Sequence, residues 1–498
     1  MNQKLLFARA YETEAAKLIP DESRPVFHLT PYTGWMNDPN GFSFYQGKYH
    51  LFYQYNPYDT IWDTMHWGHA VSEDLLHWKY LPAALAPDEW YDGTGVFSGS
   101  AEELADGRQI LLYTGVRREN GDKESEVQTQ CVAIGDGLEY QKIPENPVIN
   151  ESMLPEGFDK MNFRDPKILR QKDGGFRAVM AACRDNGLGA ILSYRSKEGI
   201  AWSFEGILLE NDGNLGLMWE CPDLFELDGK TVMLLSLQDM LPEGFEFHNG
   251  NGTAAMIGHF DEDSKRFVPE KVHSVDYGID FYAPQTVMTP DGRRVMIGWM
   301  QNWDTTSLIS RKDVRWFGQM TLPRELFLKD GRLYQRPLRE LEAYRSNPVH
   351  YENVLMTGDV VLPGISGRMI DLELVVRPRE GAAMYHKFAV HIMENDRYRT
   401  NITYRPHESI LRIDRKFSGS RRAYIHQRRC LVPYRNGEIR IRLIMDRFSV
   451  EAFLNDGEQV VTGTVLTELS ADRISFYVDG EAEIDVTKYD LFQKEGKK

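Results

Sequence analysis

Short strand-like segments joined by glycine turns recur along the first two thirds of the chain. Each reads as a β-hairpin, and four turn through Asp-Gly, a dipeptide that favours tight hairpin turns. The segments are SFYQGKYHLFYQ, EELADGRQILLYTG, ILRQKDGGFRAVMA, LFELDGKTVMLLSL and TVMTPDGRRVMIGWM. Their turn glycines are Gly47, Gly107, Gly174, Gly229 and Gly292, with spacings of 60, 67, 55 and 63 residues. Because a repeat of this length holds about four short strands, the pattern predicts a five-bladed β-propeller over residues 25–320.

The rest of the chain has different patterns. Charged and apolar residues alternate irregularly in the N-terminal segment, which predicts a short helix within residues 1–24. Residues 321–349 contain a hairpin pattern and then a short charged helix after Pro337, which is typical of a linker. Residues 350–498 show regular short alternating strands without a helical stretch, so they predict a β-sandwich. The predicted fold class is therefore all-β.

An acid stands nine residues before the turn glycine in three of the five repeats, as Asp38, Asp165 and Glu220. The same position holds Ser98 and Ala283 in the other two repeats. The innermost strand of every blade lines the central channel, so equivalent positions converge on the propeller axis. Gathered carboxylates repel one another, which costs stability unless they serve a ligand or a reaction. We therefore expect a functional site there.

Neighbours in the sequence suggest different protonation states for the three acids. Asp38 lies among amide groups, and Asp165 follows Arg164, so both carboxylates are expected to be ionised. Glu220 is flanked by apolar or weakly polar residues such as Trp219, which favours the protonated form. One charged and one protonated carboxyl group form the pair that glycoside hydrolysis uses.

Composition narrows the possible partners. The chain has 498 residues, 42% hydrophobic and 27% charged, and a formal charge of −16. This charge argues against nucleic acid or an anionic membrane as a partner. The four cysteines are widely separated and are expected to be reduced thiols. The N-terminus lacks the apolar stretch of a signal peptide, and no run approaches the ~18 apolar residues of a membrane span, so we expect a cytoplasmic protein.

Five sequence blocks spread over the predicted propeller are similar to the signature blocks of glycoside hydrolase family 32. This family contains invertases, sucrose-6-phosphate hydrolases and fructan hydrolases. The blocks are WMNDPNG at 35–41, FSGSA at 97–101, FRDPK at 163–167, WECPD at 219–223 and DFYAPQT at 280–286. They follow the family's order, and DRFSVEAFLNDGE at 446–458 resembles the family's C-terminal sandwich.

The resemblance implies a retaining β-fructofuranosidase that acts on a small fructoside without a metal or other cofactor. It assigns Asp38 as nucleophile, Glu220 as acid/base and Asp165 as the stabiliser of the transition state. By the same resemblance, Arg164 and Asp165 bind fructosyl hydroxyl groups. The other implied substrate-binding residues are Asn37, Gln54, Trp62, Phe97, Ser98 and Tyr282.

Three alternatives remain open. A metal site could use His66, His69 and His77, but His-x-x-His on a strand points its rings to opposite faces, and no carboxylate completes a zinc set. A sugar-binding propeller without catalysis would need no acids of tuned pKa. An inverting hydrolase of a related five-bladed clan would act on arabinan or xylan. The choice among sucrose, sucrose-6-phosphate and fructo-oligosaccharides, and the oligomeric state, also remain open.

Overall fold

The computed structural model describes residues 3–261, 263–306, 313–420, 424–435 and 437–492. The chain begins with helix α1 (Gln3–Ala16), whose buried residues Leu5, Ala8 and Glu12 lie on one helix face. The Glu12 carboxylate accepts a hydrogen bond from the Ala83 amide at 2.8 Å, which ties the helix to the first blade. Within the described residues, no helix combines the length and apolarity that a membrane crossing needs.

Five sheets follow, one for each glycine-turn repeat, and the predicted five-bladed propeller is confirmed. The strands of the first three blades are β1 (Gly34–Tyr45), β2 (Lys48–Asn56), β3 (His66–Ser72) and β4 (Trp78–Leu85); β5 (Gly95–Glu103), β6 (Gln109–Arg118), β7 (Glu126–Gly135) and β8 (Tyr140–Lys142); and β9 (Phe158–Arg170), β10 (Phe176–Arg184), β11 (Gly189–Ser196) and β12 (Trp202–Glu210). The strands of the last two are β13 (Trp219–Leu227), β14 (Lys230–Met240), β15 (Gly250–Asp261) and β16 (Arg266–Ser274); and β17 (Tyr282–Met288), β18 (Arg294–Trp299), β20 (Arg324–Lys329) and β21 (Arg332–Pro337), with the short α2 (Trp303–Thr306) and β19 (Trp316–Phe317) between β18 and β20.

The hairpin that was predicted in the linker belongs to the fifth blade. Strand β18 pairs with β20, and β20 pairs with β21, so the propeller extends to Pro337 and not only to residue 320. The glycine-turn pattern did not predict this extension, because the chain leaves the fifth blade after Trp299 and returns to it only at β20. In between it forms β19, which pairs in parallel with the start of β1 and joins the last blade to the first. Between the two domains lies a 3₁₀ helix, Arg339–Tyr344, where the short charged helix was expected.

The C-terminal domain is the predicted β-sandwich, built from strands that form one continuous, folded sheet. Its strands are β22 (Arg345–Val360), β23 (Ile370–Pro378), β24 (Lys387–Glu394), β25 (Thr400–Arg405), β26 (Ile410–Asp414), β27 (Gln427–Leu431), β28 (Ile439–Asp446), β29 (Ser449–Leu454), β30 (Gln459–Thr464) and β31 (Arg473–Leu491). Strand β31 pairs with β24 through residues 473–479 and with β23 through residues 482–490. Gly480, with a φ of 107°, lies between these two halves, where the strand passes from one layer to the other.

Buried charges connect the two domains. The His28 ring contacts Asp446 Oδ2 through Nδ1 and Glu451 Oε1 through Nε2, both at 2.9 Å. Arg324 donates to Glu451 Oε2 at 2.8 Å through Nε and to Asp276 Oδ2 at 2.9 Å through Nη1. Burial lowers the pKa of His28, but the hydrogen bonds and charges of Asp446 and Glu451 outweigh it and raise the pKa to about 9. These five residues form the interface cluster.

Candidate active site

A bulge interrupts the innermost strand of every blade at the position where the acids were predicted to converge. The pairing register shifts between Met36 and Pro39, between Phe97 and Gly99, at Asp165, between Glu220 and Asp223, and between Tyr282 and Gln285. A bulge bends its strand and changes the direction of the side chains beside it. The repeated bulge therefore turns one group of side chains per blade toward the same end of the channel.

Three of these positions hold non-glycine residues with positive φ. The values are 61° for Asp165, 49° for Cys221 and 48° for Ala283. This left-handed conformation is costly for residues with a Cβ atom, and such strain concentrates at functional sites. The Ala283 amide donates to Ser236 Oγ at 3.0 Å, so a neighbouring strand holds the strained turn in place.

The structure brings Asp38 and Asp165 together around Cys221. The Cys221 Sγ atom lies 3.6 Å from Oδ2 of each carboxyl group. The Cys221 amide also donates to Asp165 Oδ2 at 3.0 Å, and Ser98 Oγ donates to Asp38 Oδ2 at 2.8 Å. Cys221 was not a predicted site residue, although it directly follows Glu220 in the WECPD block. Its thiol separates the two aspartates, while its backbone fixes one of them.

Glu220 has a polar environment and not the apolar one suggested by its sequence neighbours. Its Oε1 atom accepts from Arg164 Nε and Nη2 at 3.1 and 3.0 Å, and its Oε2 atom accepts from the Tyr282 hydroxyl at 2.8 Å. Arg164 was expected to pair with Asp165, and its Nε atom lies 3.8 Å from Asp165 Oδ2, within ion-pair range. Its shorter contacts are to Glu220, which the next blade presents.

Burial dominates the ionisation of the two aspartates. Burial, and then the charge of Glu220, raise the pKa of Asp38 to about 6, although the Ser98 hydrogen bond lowers it. Burial also raises the pKa of Asp165, against the opposing charge of Arg164. Sequence neighbours had suggested readily ionised carboxylates at both positions, and the structure reverses that direction. The Asp38 Oδ1 atom is buried and has no hydrogen-bond partner among the described residues.

Two predicted substrate-binding amides lie buried in the first blade. Asn37 Oδ1 accepts from Trp35 Nε1 at 2.8 Å, and Gln54 Nε2 donates to the Val96 carbonyl at 3.0 Å. Asn37 also forms a hydrogen bond that lowers the pKa of Asp38. Both amides keep further donor or acceptor capacity.

Aromatic side chains surround the acids with different exposures. Trp62 is 47% exposed and meets Phe97 edge-on, with ring centroids 5.8 Å apart. Trp35 is buried and stacks on Phe317 at 4.8 Å. Trp62 can therefore contact a bound molecule, whereas Trp35 is part of the buried packing that supports the site.

Residues outside the predicted positions hold the side chains of the site in place, and sequence reasoning missed them. Thr114 Oγ1 accepts from the Asp165 amide at 3.0 Å. The Arg164 guanidinium donates to Asn162 Oδ1 at 2.9 Å and to Gln128 Oε1 at 3.3 Å. The position nine residues before each turn glycine lies on the first strand of a blade. Thr114 and Gln128 lie on later strands, so this spacing could not predict them.

The three histidines considered as metal ligands do not meet. His66 Nδ1 contacts the Thr64 carbonyl at 2.8 Å, and His77 Nδ1 contacts Asp74 Oδ2 at 2.7 Å. His69 is buried beside His50, with 3.0 Å between their ring nitrogens. Each imidazole therefore has a separate structural contact.

Several proteins are similar to this chain over nearly its whole length. A sucrose-6-phosphate hydrolase of Zymomonas mobilis is 34% identical, with 98% of this chain and 96% of the relative covered. A raffinose invertase of Escherichia coli is also 34% identical, with 96% of each chain covered. The solved structure of a mutant Bombyx mori GH32 beta-fructofuranosidase in complex with sucrose has a TM-score of 0.81 and 32% identity. It covers 98% of this chain and 97% of that one.

Family comparison divides the chain where the structure does. The N-terminal domain of glycosyl hydrolases family 32 matches residues 28–337, which end with β21. The C-terminal domain of the same family matches residues 340–492. Since these two matches cover both the propeller and the sandwich, the chain belongs to glycoside hydrolase family 32 and is a glycoside hydrolase.

Proposed function

We propose that this enzyme is a retaining β-fructofuranosidase that releases terminal β-D-fructofuranosyl residues from sucrose and related short fructosides. The observation that carries the proposal is the placement of Asp38 and Asp165 on either side of Cys221, with Glu220 adjacent in the chain. Names among the relatives, which include sucrose-6-phosphate hydrolase and raffinose invertase, support the fructoside class.

In the first step Asp38 attacks the anomeric carbon while Glu220 protonates the bridging oxygen. A carbon–oxygen bond forms to Asp38, the glycosidic bond breaks, and its electron pair leaves with the protonated alcohol. In the second step Glu220 takes a proton from water, which attacks the same carbon and restores Asp38. Two displacements retain the configuration. The Tyr282 hydroxyl and the Arg164 guanidinium hold Glu220 in position for both proton transfers.

Asp165 stabilises the positive charge that develops on the fructosyl ring. An oxocarbenium-like transition state is positive, whereas the substrate is neutral, so a fixed carboxylate favours the transition state. The Cys221 amide holds one Asp165 oxygen at 3.0 Å. The strained backbone of Asp165 and Cys221 is explained by the need to hold the Asp165 carboxylate in a fixed position.

The remaining predicted residues form the fructosyl pocket. Ser98, Asn37 and Gln54 supply polar groups beside Asp38, and their own hydrogen bonds orient them. Trp62 and Phe97 supply apolar ring faces that can cover the C–H surface of a sugar.

Replacing Glu220 tests the assignment. Glu220→Gln should strongly reduce sucrose cleavage, because the glucose leaves poorly without a proton. The variant should still react with a fructoside that has an activated leaving group. The fructosyl group should then accumulate on Asp38, visible by mass spectrometry as one added hexose residue on the WMNDPNG peptide. Azide, which needs no base, should restore turnover and give a fructosyl azide of retained configuration.

A matched control lies on the same strand. Glu226 is exposed in β13 and bonds to Thr231 Oγ1 at 2.7 Å, so Glu226→Gln should keep wild-type activity on both substrates. An inverted azide product, or equal loss on both substrates without azide rescue, contradicts the roles of Asp38 and Glu220.

Product analysis with several substrates tests the substrate class. Fructose release from sucrose, sucrose-6-phosphate and short fructo-oligosaccharides ranks the candidates directly. Release of arabinose or xylose units from arabinan or xylan, with inversion, would instead favour a related five-bladed hydrolase clan.

A further inference from the structure

A groove of about 670 Å³ lies between the third and fourth blades, and we call it the turn-side groove. It is lined by the β9–β10 turn at Gln171–Asp173, by Phe225 and Glu226 of β13, and by Arg294 of β18. The catalytic acids precede these turns by nearly a full strand. The groove therefore opens at the end of the propeller opposite to the candidate active site.

Positive charge dominates the turn-side groove although the chain carries a net charge of −16. Three lining residues are acidic: Asp173, Glu205 and Glu226. Six are basic: Arg170, Lys172, Arg177, Arg195, Lys265 and Arg294. A concave surface with a local excess of cations attracts anions even on an acidic protein.

Two of the three acidic residues that line the groove form ion pairs with arginines of the same groove. Arg177 Nε lies 2.9 Å from Glu205 Oε2, and Arg195 Nη2 lies 2.7 Å from Asp173 Oδ2. These pairs shape the wall of the groove. Neither of these two acids pairs with Arg294.

Arg294 differs from the other arginines of the groove. Its Nε atom is buried without a hydrogen-bond partner, and its Nη1 atom has one long contact, 3.5 Å to Thr286 Oγ1. No ion pair joins it to a carboxylate within the described parts of the chain. The central carbon of its guanidinium lies 4.9 Å from the centroid of the Phe225 ring, a cation–π contact that restricts the orientation of the group. Burial lowers the pKa of Arg294, and the charge of Asp223 opposes this only in part.

A partly buried guanidinium without an ion pair is stabilised when an anion completes it. We propose that the turn-side groove is an anion site in which Arg294 binds a phosphate group, free or carried by a small ester. A planar guanidinium edge matches two phosphate oxygens, and Lys172 of the β9–β10 turn lines the same groove. The groove volume lies within the range of about 300–1,000 Å³ of small-molecule sites, so a phosphorylated monosaccharide fits. This site is independent of the proposed fructosidase activity.

The test uses inorganic phosphate, glucose 6-phosphate and glucose as calorimetric probes of the full-length enzyme. Arg294→Met should weaken binding of a phosphate probe by roughly 10- to 100-fold, which is the usual loss when a charged hydrogen-bonded partner is removed. Arg336→Met is the matched control, because Arg336 also lies over a phenylalanine, Phe327, at 4.2 Å but lines no part of the turn-side groove. This control should bind like the wild type, and glucose should not bind the groove.

The two phosphate probes distinguish the source of the phosphate group. Tighter binding of glucose 6-phosphate indicates an ester ligand, and equal binding indicates free phosphate; both outcomes support the site. Saturating fructose should leave the phosphate signal unchanged, whereas displacement by fructose would place the binding in the fructosyl pocket and overturn the proposal.

A stability measurement separates lost binding from lost folding. Because Arg294 is unpaired, Arg294→Met should melt no lower than the wild type in phosphate-free buffer, and its sucrose hydrolysis should be unchanged. Phosphate should raise the Tm of the wild type and of Arg336→Met, but not that of Arg294→Met. Equal affinity in all three proteins, or no binding at about 10 mM probe, well above the millimolar Kd of a weak site, would overturn the proposal.

Discussion

The interface cluster and the candidate catalytic acids are both buried groups of charges, but they are organised in opposite ways. In the interface cluster, Glu451 accepts hydrogen bonds from His28, from Arg324 and from the Leu322 amide. In the active site, Asp38 keeps one buried oxygen without a partner among the described residues. Opposite charges are matched in the first case, and like charges are gathered in the second.

The interface cluster therefore contributes to the stability of the fold, whereas the group of acids is suited to a reaction. A saturated network is costly to break because each removed partner leaves a buried charge behind. An unsaturated group of acids is destabilising by itself, but a carboxylate oxygen without a hydrogen-bond partner remains available to attack a substrate. We therefore expect substitutions in the active site to change turnover with little loss of stability, and substitutions in the interface cluster to do the reverse.

The largest effect is expected for Asp38→Asn. Turnover of sucrose should fall roughly 10³-fold or more, because an amide cannot form the fructosyl ester. Thermal unfolding should occur at the wild-type temperature or above it, since the repulsion from Glu220 is removed. Asp446→Asn, in the interface cluster, should instead lower the unfolding temperature. Turnover of Asp38→Asn within tenfold of the wild type would contradict its role.

Arg324→Met should give the largest loss of stability. Removing one partner of a buried ion pair costs about 3 kcal/mol or more in the free energy of unfolding. Arg339 also pairs with a carboxylate, Glu325, but is 62% exposed, so Arg339→Met should cost less than about 1 kcal/mol. Urea unfolding of both variants checks the contrast. Equal losses would show that burial does not strengthen the interface cluster.

The interface cluster should also make stability depend on pH. The pKa of His28 is about 9 when folded, above the ordinary value of 6.5, so its stabilising contribution is complete below pH 6.5 and is lost as the pH rises through 9. Stability should decline in this window by at most about 1.4 kcal/mol per pH unit, the limit for one proton. Unfolding of wild type and His28→Gln across the window measures this slope. A slope that persists in His28→Gln must come from other groups.

The smallest effect is expected for Ser98→Ala. Wild-type kcat/KM should fall as the pH drops through about 6, because protonation of Asp38 removes the nucleophile. Ser98 lowers the pKa of Asp38, so its removal should move this acid limb upward by about one pH unit.

Ser100 supplies the control for this shift. It lies on the same strand and is equally buried, but its hydroxyl donates to the Pro166 carbonyl at 2.7 Å. Ser100→Ala should leave the acid limb in place. An unshifted limb in Ser98→Ala would show that another group controls it.

Much of the architecture could be predicted because it repeats. The glycine turns set the spacing of the blades, and the same offset from each turn located Asp38, Asp165 and Glu220. The hairpin β20–β21 was assigned to a linker because the insertion with β19 breaks that spacing. The bulges that turn the acids toward the channel leave no turn signal, so the positive φ of Cys221 could not be anticipated.

By itself, the sequence determined the strand period, the turn positions and the recurrence of acids on three of the five inner strands. The first two depend on residues within one hairpin, and the third repeats the same offset from the turn in separate hairpins. Only the tertiary structure decided the electrostatics, because charges act through space and their partners are distant in the chain. Arg164 stands beside Asp165 in the sequence but pairs more closely with Glu220, which is 56 residues away. Burial, which no local pattern reports, then raises the pKa of both aspartates.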